Sequence, residues 1–251
     1  MKEDELLRKR FLELADKAFT QNIYTYSHFL NEYEQSIYRE MRRELSFADS
    51  YLEGGHQYFT RAFVVFGSEE MFGYQGEIPL ACARVSPLFH KYADKLSHRD
   101  YLGAMMNLGI ERHQTGDILV DGMEAYIFCF QHIGEFLKEN FTKVKHTQVK
   151  TEIVSWEDTG FTQKFLRKEG FVASMRLDVL ISLAFGVSRN VSEGLLKKQK
   201  VFLNGKLLLR GDHKIKPGEI ISVRGHGKFL VEELGKQSKK GRQFVALEIF
   251  A

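Results

Sequence analysis

Residues 174–227 constrain the fold of this chain more than any other stretch. They read SMRLDVLISLAFGVSRNVSEGLLKKQKVFLNGKLLLRGDHKIKPGEIISVRGHG. Leu177, Leu180, Ile181 and Ala184 fall at i, i+3, i+4 and i+7, which is one apolar face of a helix. Ser174 is the expected N-cap of that helix and Gly186 its stop. Ser188 is placed to cap a second helix, whose Val191, Leu195 and Leu196 are expected to face the core. Val201-Phe202-Leu203 reads as a strand and Asn204-Gly205 as a tight turn. Lys216-Pro217-Gly218-Glu219 is a second turn, and Ile220 to Arg224 a further short strand.

This stretch is also where the positive charge lies. Residues 171–251 hold 15 Lys and Arg against 7 Asp and Glu, a net of +8, while the whole chain is +3. The first 170 residues therefore carry −5. A small basic module on a mildly acidic body suggests a polyanionic partner. Arg176, Arg189, Lys197, Lys198, Lys200 and Lys206 all fall in or beside the two helices and the turn. A cationic cluster of that kind is what phosphate contacts require.

Four pieces of this segment resemble the S4 RNA-binding domain: Arg176-Leu177-Asp178; Ser188-Arg189; Val201 to Gly205; and Lys216 to Ile221 with Val223-Arg224. Two positions depart from the pattern. Gln199 stands where that domain usually has Gly, and Glu219 where it usually has Asp. The candidate RNA-binding residues are Arg176, Ser188, Arg189, Lys197, Lys198, Lys200, Asn204, Lys206, Arg224 and Lys228. The last follows the short glycine-rich turn Gly225-His226-Gly227. Leu177, Leu180, Val191 and Leu195 are expected in the core, and Asp178 is expected to orient Arg176 or to cap locally.

Hydrophobic content of 43% with 27% charged residues is ordinary for a soluble globular protein. No apolar run approaches a membrane span. Residues 1–10 lack the apolar stretch of a secretory signal. Cys82 and Cys129 lie in apolar runs, so buried free thiols and a cytoplasmic location are expected. Residues 1–44 read as helical, with Leu7, Phe11, Leu14, Ala15 and Ala18 at helical spacing. Their aromatics, among them Tyr24, Tyr26, Phe29 and Tyr38, are expected to pack helices.

Residues 45–155 alternate strand and helix signals: strands at Tyr58–Phe66, Ile78–Ser86, Asp117–Val120, Ala125–Phe130 and Val144–Val154, with helices at Ser97–Leu108 and Gln131–Asn140. The expected architecture is an α+β sandwich with helices on one sheet face. Residues 156–173 are expected to be a linker, 174–235 the S4 domain, and 236–251 a basic tail in which Phe244–Phe250 returns as a strand.

Nearly the full length resembles the YlmH family of bacterial S4 proteins. The matching pieces are Phe29-Leu30 with Glu34-Gln35, Gly54-Gly55 with Arg61-Ala62, Ser97 to Gly103, Leu108-Gly109-Ile110, Arg112 and Gly116-Asp117-Ile118. The resemblance implies a helical N-terminus, a middle domain like an RNA-recognition (RRM-like) fold, and a C-terminal S4 (αL-type) domain. It also implies a function. Such proteins bind ribosomal RNA and tRNA on large ribosomal subunits obstructed by peptidyl-tRNA, and they serve quality control of stalled ribosomes without catalysing a reaction. A monomer without cofactor or metal, and not on a membrane, is expected. Arg99, Arg112 and His113 are candidates for a secondary RNA contact.

Other readings are weaker. His98-Arg99-Asp100 matches three letters of a protein-kinase catalytic loop, but the Asn required five residues after Asp is Met105. The nine histidines show no zinc-type spacing. The alternative function is an RNA-modifying enzyme, a pseudouridine synthase or methyltransferase, that uses the S4 domain for targeting. Gly54-Gly55 lacks the spacing of a cofactor turn for the latter. A role in cell division has no physical support in the residues.

Overall fold

The computed structural model describes residues 2–238 and 241–250. Met1, Ala251 and two residues of the expected basic tail, Lys239 and Lys240, lie outside them. The chain divides into two compact units, residues 1–161 and 162–251. Among the described residues no single helix is long and apolar enough to cross a membrane.

The first unit opens with α1 (Lys2–Gln21), β1 (Thr25–Tyr26), α2 (Glu32–Glu40), β2 (Ser50–Glu53), β3 (Phe63–Phe66) and α3 (Glu69–Phe72). The three strands form an antiparallel sheet in the order β1-β3-β2. Phe11, Leu14, Ala15 and Ala18 of α1, at the spacing read from the sequence, are buried with Ile37 and Met41 against Val64 and Phe66 of β3. Asn31 caps α2: its side chain accepts from the backbone N–H of Tyr33 and Glu34, and the Glu34 carboxylate accepts from Asn31 N–H at 2.6 Å. The expected division at residues 44–45 therefore falls inside one layer, because β2 and β3 follow it and β3 pairs with β1 before it. Local periodicity finds a strand at Phe63–Phe66 but not the sheet it joins.

The same unit continues with β4 (Leu80–Pro87), α4 (His98–Asn107), β5 (Thr115–Asp121), β6 (Glu124–Phe130), α5 (Gln131–Asn140), β7 (Lys143–Val144) and β8 (Thr147–Val154). Their sheet is antiparallel, in the order β5-β6-β4-β8-β7. A β-α-β-β-α-β chain with its first and third strands central is the RRM-like topology. α4 and α5 cover one face, burying Tyr101, Met105, Ile133 and Leu137 against Ala83, Val85, Ile127 and Val149. The other face carries Cys82, Tyr126 and Phe128, and Trp156 and Phe161 pack over them. Phe29, Phe63 and Phe130, with ring centroids 4.9–5.3 Å apart, join the two sheets. Of the N-terminal aromatics Phe29 and Tyr38 are buried, Tyr24, Tyr26 and Tyr33 are half-buried, and Phe19 is exposed. Cys82 and Cys129 are free and buried, and burial pushes both thiols up to about 12, leaving them unreactive.

The second unit consists of β9 (Phe165–Val172), α6 (Leu177–Phe185), α7 (Arg189–Lys197), β10 (Val201–Leu203), β11 (Lys206–Leu207), β12 (Ile220–Val223), β13 (Gly227–Gln237) and β14 (Gln243–Phe250). The sheet order is β11-β10-β12-β13-β14-β9, antiparallel throughout. Leu177, Leu180, Ile181 and Ala184 are buried against it, as their spacing requires. Val191, expected in the core, is 46% exposed; Ser192 occupies the inward position instead. The expected linker over 156–173 contains β9, which pairs residue for residue with β14 from Phe165↔Phe250 to Val172↔Gln243. Its inward residues are sparse, so a strand that closes a sheet edge reads locally as a connection.

Candidate nucleic-acid interface

The basic module is organised by one buried acid. Asp178 lies in the first turn of α6, and its side chain has no exposed surface. Arg176, which occupies the N-cap position expected of Ser174, donates from Nε to Asp178 Oδ1 at 2.9 Å. Arg189, the first residue of α7, donates from Nη2 and Nε to Asp178 Oδ2 at 3.0 and 3.3 Å. Burial by itself raises the Asp178 carboxyl; the two guanidinium groups outweigh it and hold the carboxyl below its ordinary range. Each arginine keeps about half of its side chain in solvent, 43% and 58%. A buried carboxylate thus fixes one edge of each guanidinium and leaves the rest of each fork facing outward.

The helices are locked around this centre. α6 ends at Gly186 in the left-handed region, and the chain turns through 116° into α7. Ser188 caps α7 by accepting from Val191 N–H. Ser182 and Ser192, both hydroxyls directed between the helices, lie 2.9 Å apart. Gly211 packs against the pair, where a Cβ would come within 3.1 Å of Asp178 and 3.2 Å of Leu196.

An open cleft of about 330 Å³ lies beside the arginines, lined by Arg176, Glu193, Leu196, Lys197, Leu209, Arg210, Gly211 and Asp212. Lys197 is one helical face along from Arg189, at i+8 of α7. Lys198 and Lys200 are exposed at the end of the helix. Arg224 donates its backbone N–H to the Lys200 carbonyl and carries its guanidinium 5.2 Å from the Phe202 ring, which places it beside them. The structure therefore brings Arg176 and Lys197 to one cleft, sets Arg189 on the same carboxylate as Arg176, and brings Lys200 and Arg224 to one strand end.

Other candidates have different surroundings. Asn204 and Gly205 both have positive φ, and the Asn204 side chain accepts from Ile220 N–H, so Asn204 builds the hairpin. Lys206 is exposed on β11. The ammonium of Lys228 lies 4.6 Å from the Phe250 ring. Gln199 follows α7 at φ 55°, the left-handed C-terminal position that favours glycine. Sequence reasoning passed over Arg210, which lines the cleft and pairs with Asp212 at 2.7 Å. Its one local signal was the polar Arg210-Gly211-Asp212 turn after three leucines.

In the first unit the three secondary candidates have different surroundings. Arg112 is half-buried and donates to Thr115 Oγ1 and to the Gly116 carbonyl, both at 2.8 Å. Burial, with Arg61 beside it, lowers its guanidinium to about 10. His113 faces Glu111 at 3.2 Å, and Arg99 is exposed on α4. Asp100 pairs with Lys145 at 2.8 Å rather than with Arg99 or Arg112. Arg61 donates to the backbone carbonyls of Phe29, Arg112 and Thr115. The Asp117 carboxylate accepts from Thr60 N–H and lies 3.1 Å from His56 Nε2.

Residues 88–158 match the domain family described as "Putative RNA-binding domain in YlmH", and residues 175–221 match the family "S4 domain". A curated relative is the "Ribosome-associated protein quality control protein P2" of Bacillus subtilis, 26% identical over 162 residues. The match spans 63% of this chain and 63% of that relative's length. Among solved structures, "Cell division protein ylmH from Streptococcus pneumoniae" shares the fold, with a TM-score of 0.50 at 20% identity. That likeness covers 63% of this chain and 95% of the other.

Proposed function

We propose that this chain, whose residues 88–158 match the putative RNA-binding domain in YlmH and whose residues 175–221 match the S4 domain, acts by binding ribosomal RNA and tRNA on the large ribosomal subunit, in rescue of stalled ribosomes, without catalysing a reaction. The observation that carries this reading is the Asp178 centre. It holds Arg176 and Arg189 as two oriented guanidinium groups, and Arg176 lines an open cleft with Lys197. Oriented forks suit phosphate oxygens, and a rigid set of them suits a shaped RNA backbone rather than a base sequence. The ribosome association named for the Bacillus subtilis relative supports the ribosomal setting. In this reading the protein works as a monomer in the cytoplasm, where ribosomes are.

The test is co-sedimentation with purified large subunits. Reversing charge at Arg189 and Lys197 together (R189E/K197E) is expected to abolish it. Because R189E sets a second carboxylate against the buried Asp178, a circular dichroism spectrum checks that the variant is folded. Unchanged co-sedimentation of that variant would overturn the proposal.

A further inference from the structure

We propose that the loop between β4 and α4 is a second RNA contact, one that takes unpaired bases of single-stranded RNA. The proposal rests on the RNA-binding reading above and assigns the first unit's part in it.

Three large apolar side chains of this loop stand in solvent: Leu88 at 49%, Phe89 at 63% and Tyr92 at 78% exposure. Such a cluster within five residues, with no core to serve, marks an interaction site. The loop is also held in place. Leu88 N–H donates to the Gln148 carbonyl at 2.9 Å. Asp94 N–H donates to Thr147 Oγ1 at 2.8 Å, and Thr147 Oγ1 donates back to the Asp94 carboxylate at 3.2 Å. Leu96 then enters the core at 7% exposure. Fixed ends present the rings with little left to order on binding.

Charge identifies the partner. Lys91 lies 5.5 Å from the Tyr92 ring, and His90 and Lys95 flank it, all exposed. The single acid of the loop, Asp94, is turned to the Thr147 hydroxyl and the His146 backbone. The adjacent β7–β8 turn adds Lys143 and His146, also exposed, while Lys145 is paired with Asp100. Exposed rings interleaved with cations fit a polyanion whose bases have π-faces.

The sheet itself does not offer this surface. In an RRM fold the sheet's aromatics stack bases. Here Tyr126 and Phe128 are 4% and 1% exposed, with the Trp156 ring 5.8 and 5.0 Å from theirs. The exposed rings have moved to the loop at the sheet's end.

The experiment is fluorescence anisotropy of the full chain with a labelled single-stranded oligouridylate and, separately, co-sedimentation with large subunits. F89A/Y92A is expected to weaken oligouridylate binding about tenfold or more, and F89Y/Y92F to retain it. Oligouridylate affinity unchanged in F89A/Y92A overturns the proposal. If R189E/K197E nevertheless loses the subunits, the main reading survives that failure. Should F89A/Y92A keep oligouridylate affinity but lose the subunits, the loop docks on protein and the proposal is likewise overturned.

Discussion

The Asp178 carboxylate, wholly buried, accepts two hydrogen bonds from Arg189, at 3.0 and 3.3 Å. It also accepts one from Arg176. One acid therefore sets the direction of two cations that come from different helices. Replacing it should damage two properties together. Asp178→Ala is expected to destabilise the second unit by about 2 kcal/mol, the low side for a broken buried pair because both arginines are half in solvent. It should also weaken RNA binding although the net positive charge rises. Urea unfolding and RNA titration of one preparation check both.

The same carboxylate gives a pH dependence whose sign is fixed. Its folded value lies below the ordinary one, about 3.9 in an unfolded chain. Its contribution to stability is therefore complete above the unfolded value and is lost as pH falls through the folded one. The gap in unfolding midpoint between wild type and Asp178→Asn should be constant from about pH 7 to pH 5 and narrow below pH 4. A gap that stays constant to pH 2 would contradict the assignment.

Gln199 adopts φ 55° after α7, accepting the strain of the left-handed region for a residue with a Cβ. Its N–H bonds the Leu196 carbonyl and the next N–H that of Leu195, which closes the helix end. Gln199→Gly is expected to stabilise the unit by about 0.5–1 kcal/mol, read as a rise in the midpoint of thermal unfolding. RNA affinity should be unchanged.

Phosphate contacts carry a salt signature. Lys197→Ala should weaken RNA binding uniformly across sequences and reduce the slope of log K against log salt by about 1. Lys206→Ala, on β11 and not lining the cleft, should leave the slope nearly unchanged. Titration at four or five salt concentrations separates the two.

The helical cores were legible because their signal is local. The i, i+3, i+4, i+7 spacing of Leu177 to Ala184 and of Phe11 to Ala18 placed each apolar face where it is buried. Asp178 as the partner of Arg176 was legible too, being two residues away. Its bonds to Arg189, eleven residues on, needed the fold. What sequence could not give was sheet membership. β3 joins β1 and β2 rather than the RRM-like sheet, and β9 pairs with β14 across more than 70 residues. Strand patterns state a face, not a partner. Several residues that carried the family resemblance, Arg61, Arg112 and Asp117, bond backbone inside the first unit. Those bonds tie loops of the first unit together.

The central claim is that the cleft beside Asp178 meets RNA of the large ribosomal subunit. Crosslinking the protein to RNA in growing cells and sequencing the bound sites tests it most directly. The account predicts sites concentrated in large-subunit ribosomal RNA and in tRNA, and their loss in R189E/K197E. Sites dispersed over messenger RNA, or a pattern unchanged in that variant, would contradict it.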